Sequence, residues 1–238
     1  MAFRDGSVVA VNYTAKIAGS GEIFDTTLEK DAIDAGIFNK DVKYAPSTMV
    51  LGEGENFPKL DEEIKAMAVG ESKKILLQPK DAFGERSPKL IAVVPLREFQ
   101  QRKMMPFPGL VIDVNGQRGK VQSVSGGRVR VDFNHPLAGR ELVYELKVEK
   151  ELTQPKEQVE GLFEKYFGAI PEKEREVKVG AEEVEVQIAS KYSRAVAPLK
   201  EHFSKLITKS VKGIKKVKFV EEFGEEKAAE GEGEKKKQ

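Results

Sequence analysis

Polar side chains that could do chemistry are few in this sequence. Tyr13 sits in the alternating run VVAVNYTAKI, and Asp25 follows Ile23 and Phe24 in EIFDTT. A carboxylate among apolar neighbours costs free energy unless it is hydrogen-bonded, so Asp25 either caps a local turn or faces a site. Tyr13 on an inward strand face could equally be a core residue whose hydroxyl finds any nearby partner. His135, in NHPLAG, and His202, beside Phe203, are the only two histidines. His202 reads as a helix-surface side chain and His135 as the maker of a structural hydrogen bond, so neither a hydrolytic triad nor a histidine metal site is expected. The chain has no G-x-G-x-x-G, no G-x-x-x-x-G-K-[ST], no H-E-x-x-H and no Cys, which leaves no expectation of a cofactor, a metal or a disulfide framework. A second cluster is apolar: Met104, Met105, Phe107, Pro108 and Leu110. Methionine adapts to irregular partners, so this run either binds unfolded chains or fills the core of a small domain.

The elements that must position these groups follow from periodicity. Ser7 to Ile17 reads as a strand with Val9, Val11, Tyr13, Ala15 and Ile17 on one face; Gly19-Ser20-Gly21 turns it back into Glu22 to Thr26. Residues 28–46 show weak helical spacing and no strand, an insertion beside a sheet. Phe57, Leu60, Ile64 and Met67 fall on one helical face, with Lys59, Asp61, Glu62 and Lys65 outside it. Pro58 suits the first turn of that helix, and Gly70 is expected to end it. Glu71 to Gln78 alternates, with Ile75 and Leu77 on one side, before Pro79 stops it.

Between Lys89 and Asp132 lie an apolar strand (LIAVV), a helical turn (PLREFQQRKM) and two hairpin signals, Asn115-Gly116 and Ser125-Gly126-Gly127. These predict a small β-domain inserted in a loop of the first. Leu142, Tyr144, Leu146 and Val148 alternate as a closing strand. The first domain is therefore expected at 1–88 plus 133–152 and the insert at 89–132. A third region, 153–223, predicts an α+β module: a helix from Pro155 with Val159, Leu162, Phe163, Tyr166 and Phe167 on one side, strands at 176–179 and 184–188, a helix carrying Val196, Leu199, Phe203, Leu206 and Ile207, and a strand at 215–220. From Gly224 onward, GEEKAAEGEGEKKKQ is charged and poor in apolar residues, and disorder is expected at 224–238.

Charge narrows the partners. Forty Lys plus Arg against 39 Asp plus Glu leave a formal charge of +1, so bulk electrostatics do not argue for nucleic acid or a membrane surface as the obligatory partner. The N-terminus lacks an apolar signal core and no run approaches spanning length, so a soluble cytoplasmic protein is expected.

LGEGENFPKLDEEIKAMAVGE followed by PKDAFG, with VNYTAKIAGSGEIFDTT upstream and NHPLAGRELVYELKV downstream, resembles the FKBP-type peptidyl-prolyl cis-trans isomerases, in the SlyD-like branch. The resemblance implies an α+β fold, an antiparallel curved sheet wrapping a short helix, with the small all-β insert in the flap and, as in long archaeal relatives, a C-terminal α+β domain. It implies a pocket with Phe24, Phe57, Phe83 and Tyr144 as walls, Leu60 as floor, Asn56 and Leu137 at the edge, Asp25 orienting the peptide or polarising its carbonyl, and Tyr13 buttressing Asp25. It also implies a flap that holds clients through Leu96, Phe99, Met104, Met105 and Phe107. Two departures stand out: Leu60 where many relatives carry Trp, and Phe83 where many carry Tyr. The His-rich metal-binding tail of some SlyD relatives is missing.

The partners expected are unfolded or proline-containing polypeptides, with the C-terminal module a candidate surface for a homodimer. Two alternatives stay open. Arg118, Lys120, Arg128 and Arg130 would suit an RNA- or ribosome-binding barrel, and the chain could be an inactive scaffold that pairs through its C-terminal module.

Overall fold

The computed structural model describes residues 3–114 and 116–222. The segment 224–238, expected to be disordered, lies outside the described residues, as does Asn115 of the first predicted hairpin turn. The chain opens with β1 (Val8–Ile17), β2 (Ile23–Thr26), α1 (Glu29–Asp34), β3 (Ser47–Val50), α2 (Pro58–Lys65) and β4 (Ser72–Leu77). It then forms β5 (Ile91–Pro95), α3 (Leu96–Gln101), β6 (Val111–Val114), β7 (Gln117–Ser125) and β8 (Arg128–Asp132), and returns through β9 (Leu142–Leu152). Last come α4 (Pro155–Phe167), β10 (Arg175–Val179), β11 (Glu183–Ala189), α5 (Ser193–Ser210) and β12 (Lys216–Glu222).

Among the described residues these strands form three sheets. The first runs β2-β1-β9-β4, with β3 also on β1; the second β5-β8-β7-β6; the third β10-β11-β12. The chain thus completes its first sheet only after the second has formed, because β9 lies between β1 and β4 with antiparallel pairing to both. Two connecting segments run side by side where the second sheet leaves the first. Phe133 donates to the Leu90 carbonyl at 2.8 Å, Gly139 to that of Gly84 at 2.8 Å, and the Asn134 amide bridges the Ser87 backbone at 2.8 and 3.0 Å.

The helical face expected at α2 forms as read: Leu60, Ile64 and Met67 are buried under the first sheet with Val9, Val11, Ile75, Leu77, Leu142 and Leu146. Pro58 opens the helix, where its missing N–H has no partner to lose. Two details differ. The helix stops at Lys65 rather than running to Gly70, and Gly70, at φ 85°, instead turns the chain into β4 while its N–H donates to Val148. Asp61 was placed on the outer face, yet it is buried. Its two oxygens accept from the Gly52 N–H at 2.9 Å and the Asn56 side chain at 2.8 Å, so the carboxylate ties down the preceding turn. A negative charge in the first helical turn is favoured by the helix dipole as well.

The second sheet has its own small core of Phe99, Ile112, Val121, Val129 and Val131. Gly119 allows it, because a Cβ there would lie 2.7 Å from both Val131 and the Phe133 ring. The third sheet packs on α4 and α5 through Val159, Leu162, Phe167, Val186, Phe203 and Ile207. That core does not end at the module: Val8, Val50 and Leu152 of the first sheet belong to it. The approach of α4 to β3 is close enough to require glycine, since a Cβ at Gly161 would stand 2.5 Å from the Thr48 hydroxyl. Ion pairs Lys43–Glu164 (3.5 Å), Lys165–Glu55 (3.3 Å) and Lys209–Glu53 (2.5 Å) line the same junction.

Candidate active site

Tyr144 is the centre of the aromatic set. It sits on β9 opposite Ala15 of β1 and Ile75 of β4, so its ring shares their inward face. Tyr13, two residues before Ala15, brings its ring to 5.8 Å from that of Tyr144. The β1–β2 pairing slips between Ala15 and Lys16, where Ala15 faces Asp25 and Lys16 faces Ile23. Phe24 is the extra residue of this bulge. Ordinary alternation would send Phe24 and Asp25 to opposite faces; a bulge re-aims one of them. Both therefore serve the same site, with Phe24 edge-on to Tyr144 at 6.3 Å.

Phe57, just before α2, stands edge-on to Tyr144 at 6.4 Å and to Phe83 at 5.2 Å. Leu60, one turn into the helix, is buried beneath them. Tyr13, Phe24, Phe57 and Phe83 are only half-buried, so their rings keep an open side. Edge-to-face pairs of this kind are each worth about 0.5–1.5 kcal/mol beyond their buried area, enough to hold rings in place without sealing them.

The polar rim is small. The Tyr13 hydroxyl donates to Asp25 Oδ2 at 2.8 Å, and Asp25 is itself exposed, which answers the cost expected for a carboxylate beside apolar neighbours. Burial, and then the charge and hydrogen bond of Asp25, push the Tyr13 hydroxyl far above its ordinary range. Burial and the same charge push Tyr144 up to about 12. Both phenols are neutral near pH 7, so Tyr13 is a fixed donor to Asp25 and neither phenol is a base. Asn56, at the edge, is held by Asp61. Leu137 is half-buried in the 133–139 loop, where its N–H donates to His135 Nδ1 at 3.2 Å. The imidazole of that loop stacks on Phe83, a contact that local sequence did not signal.

The five flap residues do not form one surface. Phe99 is a correction: it is 5% exposed, because it packs with Ile112, Val121, Val129 and Val131 in the core of the second sheet rather than facing outward. Leu96 and Met104 are partly buried against that core, while Met105 and Phe107 stand out at 88% and 57% exposure. His202 is a surface side chain, as read, and meets the Tyr166 hydroxyl at 3.0 Å. Among the described residues no three His, Asp or Glu side chains gather in positions to hold a metal, and no helix is long and apolar enough to cross a membrane.

Fold and ring contacts together define a class: a five-stranded antiparallel sheet over one short helix, bearing a cluster of half-buried aromatic rings beside the carboxylate of Asp25. Comparison with known proteins agrees. The family model for FKBP-type peptidyl-prolyl cis-trans isomerase matches residues 2–98, and that for the FKBP26 IF domain matches residues 92–137. A short-type peptidyl-prolyl cis-trans isomerase of Methanocaldococcus jannaschii is 32% identical over 145 residues, 61% of this chain and 91% of that protein. SlyD of Helicobacter pylori is 24% identical over 141 residues, 58% of this chain and 69% of that protein. The 16 kDa FKBP-type isomerase of Escherichia coli is 29% identical over 107 residues, 43% of this chain and 72% of that protein. The chain belongs to the FKBP-type peptidyl-prolyl cis-trans isomerases. Both matched segments end before β9, the strand that carries Tyr144.

Proposed function

We propose that the chain accelerates X–Pro isomerisation in folding polypeptides, with the prolyl ring seated among Phe24, Phe57, Phe83 and Tyr144 over Leu60. The observation that supports it is the set of edge-on rings, Phe24 and Phe57 on Tyr144 and Phe83 on Phe57, beside a carboxylate held by Tyr13. The barrier to be lowered, about 18–20 kcal/mol, comes from amide resonance. The resonance form is charge-separated and stabilised by water, so an apolar hollow weakens it, and contacts to the flanking residues favour the twisted amide. Asp25, with one oxygen committed to Tyr13, offers the other to a peptide N–H and sets the orientation of the chain. Phe83 has no hydroxyl to donate to the peptide carbonyl and Leu60 makes a shallow floor, so the preference among residues flanking proline is set by shape rather than by added hydrogen bonds.

In this reading residues 1–88 and 133–152 carry the isomerisation and 89–132 hold unfolded clients beside it. The support is the exposed apolar surface of the insert: Val93, Met105, Phe107 and Val111 are each more than half exposed. Surface of that kind marks an interaction site. Residues 153–223 are read as the third domain; among the described residues β10 and β12 are the edges of its sheet, and a sheet edge is where a second copy would pair. A chain without Cys needs no oxidising compartment, which suits the cytoplasm.

The test is refolding of a protein whose slow phase is limited by a prolyl bond. Wild type shortens that phase; Asp25→Ala shortens it about tenfold less, the equivalent of about 1.4 kcal/mol of transition-state contact. A wild type without effect on the slow phase overturns the reading.

A further inference from the structure

Tyr13 and Asp25 have a second neighbourhood. They also line a cleft of about 400 Å³, walled by residues 41–48 of the first module and by α4 with the turn after it in the third. The size lies within the range of ligand pockets, about 300–1,000 Å³, room for a short stretch of extended chain. Its walls are held apart by built contacts. Phe38 stacks on Tyr44 at 5.5 Å, which stiffens one wall, and Gly161 lets α4 seat tightly on Thr48 at the base of the other.

We propose that this cleft continues the prolyl pocket and takes the uncharged, apolar segment of the substrate that flanks its proline, so that the C-terminal module supplies one wall of the substrate site. The inference rests on the isomerase reading given above. Continuity decides the occupant: a peptide whose backbone reaches Asp25 from the aromatic hollow enters the cleft at its next residues, because the same two side chains line both. Charge decides the chemistry. Lys43 is paired with Glu164 and Glu172, Glu164 with Arg175 at 2.8 Å, and Lys165 with Glu55, so these wall charges are answered within the protein and none selects a charged segment. What remains toward the space is the apolar set Val42, Ala45, Pro46 and Ala169, hydroxyl residues such as Thr26 and Ser47, and the carboxylates of Asp25 and Asp41, which oppose an acidic segment.

The experiment compares isomerisation of a blocked tetrapeptide containing one X–Pro bond with that of peptides extended by several apolar or several acidic residues on either side. Ala169→Trp and Val42→Trp fill the cleft from opposite walls, and both positions are exposed enough to accept the ring. In wild type, the apolar extension on one side raises kcat/KM about tenfold over the tetrapeptide, about 1.4 kcal/mol, and the acidic one does not. Each variant removes that gain while turning over the tetrapeptide as wild type does. Equal rates on short and extended peptides in wild type, a gain that survives both variants, or a parallel loss on the tetrapeptide would each overturn the proposal. Failure of the cleft leaves tetrapeptide turnover intact, whereas a wild type inert on the tetrapeptide removes the isomerase reading and this one with it.

Discussion

The imidazole of His135 lies face to face with the Phe83 ring, 4.0 Å between centroids and 9° between planes. Because Nδ1 accepts the Leu137 N–H, the imidazole is locked in one orientation, and Phe83 is clamped between it and the edge of Phe57. His135→Ala should free Phe83 and lower kcat/KM on an X–Pro peptide by about two- to tenfold, in keeping with about 0.5–1.5 kcal/mol for a ring pair. His135→Phe restores the stack and should recover most of the loss. A proton-transfer role would show the opposite, with Phe as poor as Ala.

The buried phenols give a pH signature. Tyr144 has its value pushed up to about 12 by burial and by the charge of Asp25. An unfolded tyrosine titrates near 10, so the folded state favours the neutral form; the stabilisation is complete below pH of about 10 and is lost as pH rises through the folded value. A tyrosinate absorbance titration should therefore show a late-ionising group that Tyr144→Phe removes, and peptide isomerisation should stay level up to the onset of that phase.

Asp132 marks the junction between the first two sheets. Burial disfavours its charge, but hydrogen bonds from the Asn134 backbone at 2.9 Å and side chain at 2.7 Å, the Arg86 guanidinium and Gln122 outweigh it and hold the carboxyl below its ordinary value. The sign is that of a depressed acid: stability is present above the unfolded value of about 3.9 and lost as pH falls through the folded one. Asp132→Asn should lower the urea midpoint near pH 7, and the gap between variant and wild type should close below about pH 4.

In the insert, stability and the proposed client binding are expected to depend on different residues. Phe99→Ala empties the core of the second sheet and should cost about 3–5 kcal/mol in the unfolding of that unit, followed by hydrogen exchange in β5 to β8. Met105→Ser with Phe107→Ser removes side chains that are mostly in solvent, so stability should move by less than about 0.5 kcal/mol. The double variant should nevertheless lose most of its suppression of aggregation of a reduced, unfolded client, while turnover of a short X–Pro peptide is unchanged. A client assay that does not move would remove Met105 and Phe107 from the binding surface.

Periodicity carried most of the fold. Phe57, Leu60, Ile64 and Met67, the alternation of Ile75 and Leu77, and the run Leu142, Tyr144, Leu146 and Val148 are local patterns, and burial follows them because a helix repeats every 3.6 residues and a strand every two. That Leu142 to Val148 closes the first sheet was legible through the resemblance of NHPLAGRELVYELKV to a known last strand; its place between β1 and β4 was not. Asp61 and Phe99 were misplaced for one reason: each lies at a position whose face depends on the partner it meets, a turn at Gly52 for the first and the core of the second sheet for the second.

The amino-acid order by itself determined the short helix, the strands and the aromatic residue types of the hollow, since each is written within a few neighbouring positions. The tertiary structure alone decided that a one-residue bulge turns Phe24 and Asp25 toward the same site, that His135 lies on Phe83, that Val8, Val50 and Leu152 close the core of the third module, and that α4 stands across a cleft from Asp25. Such juxtapositions join residues of different elements, and no repeat of side-chain polarity along the chain encodes which distant surfaces will meet.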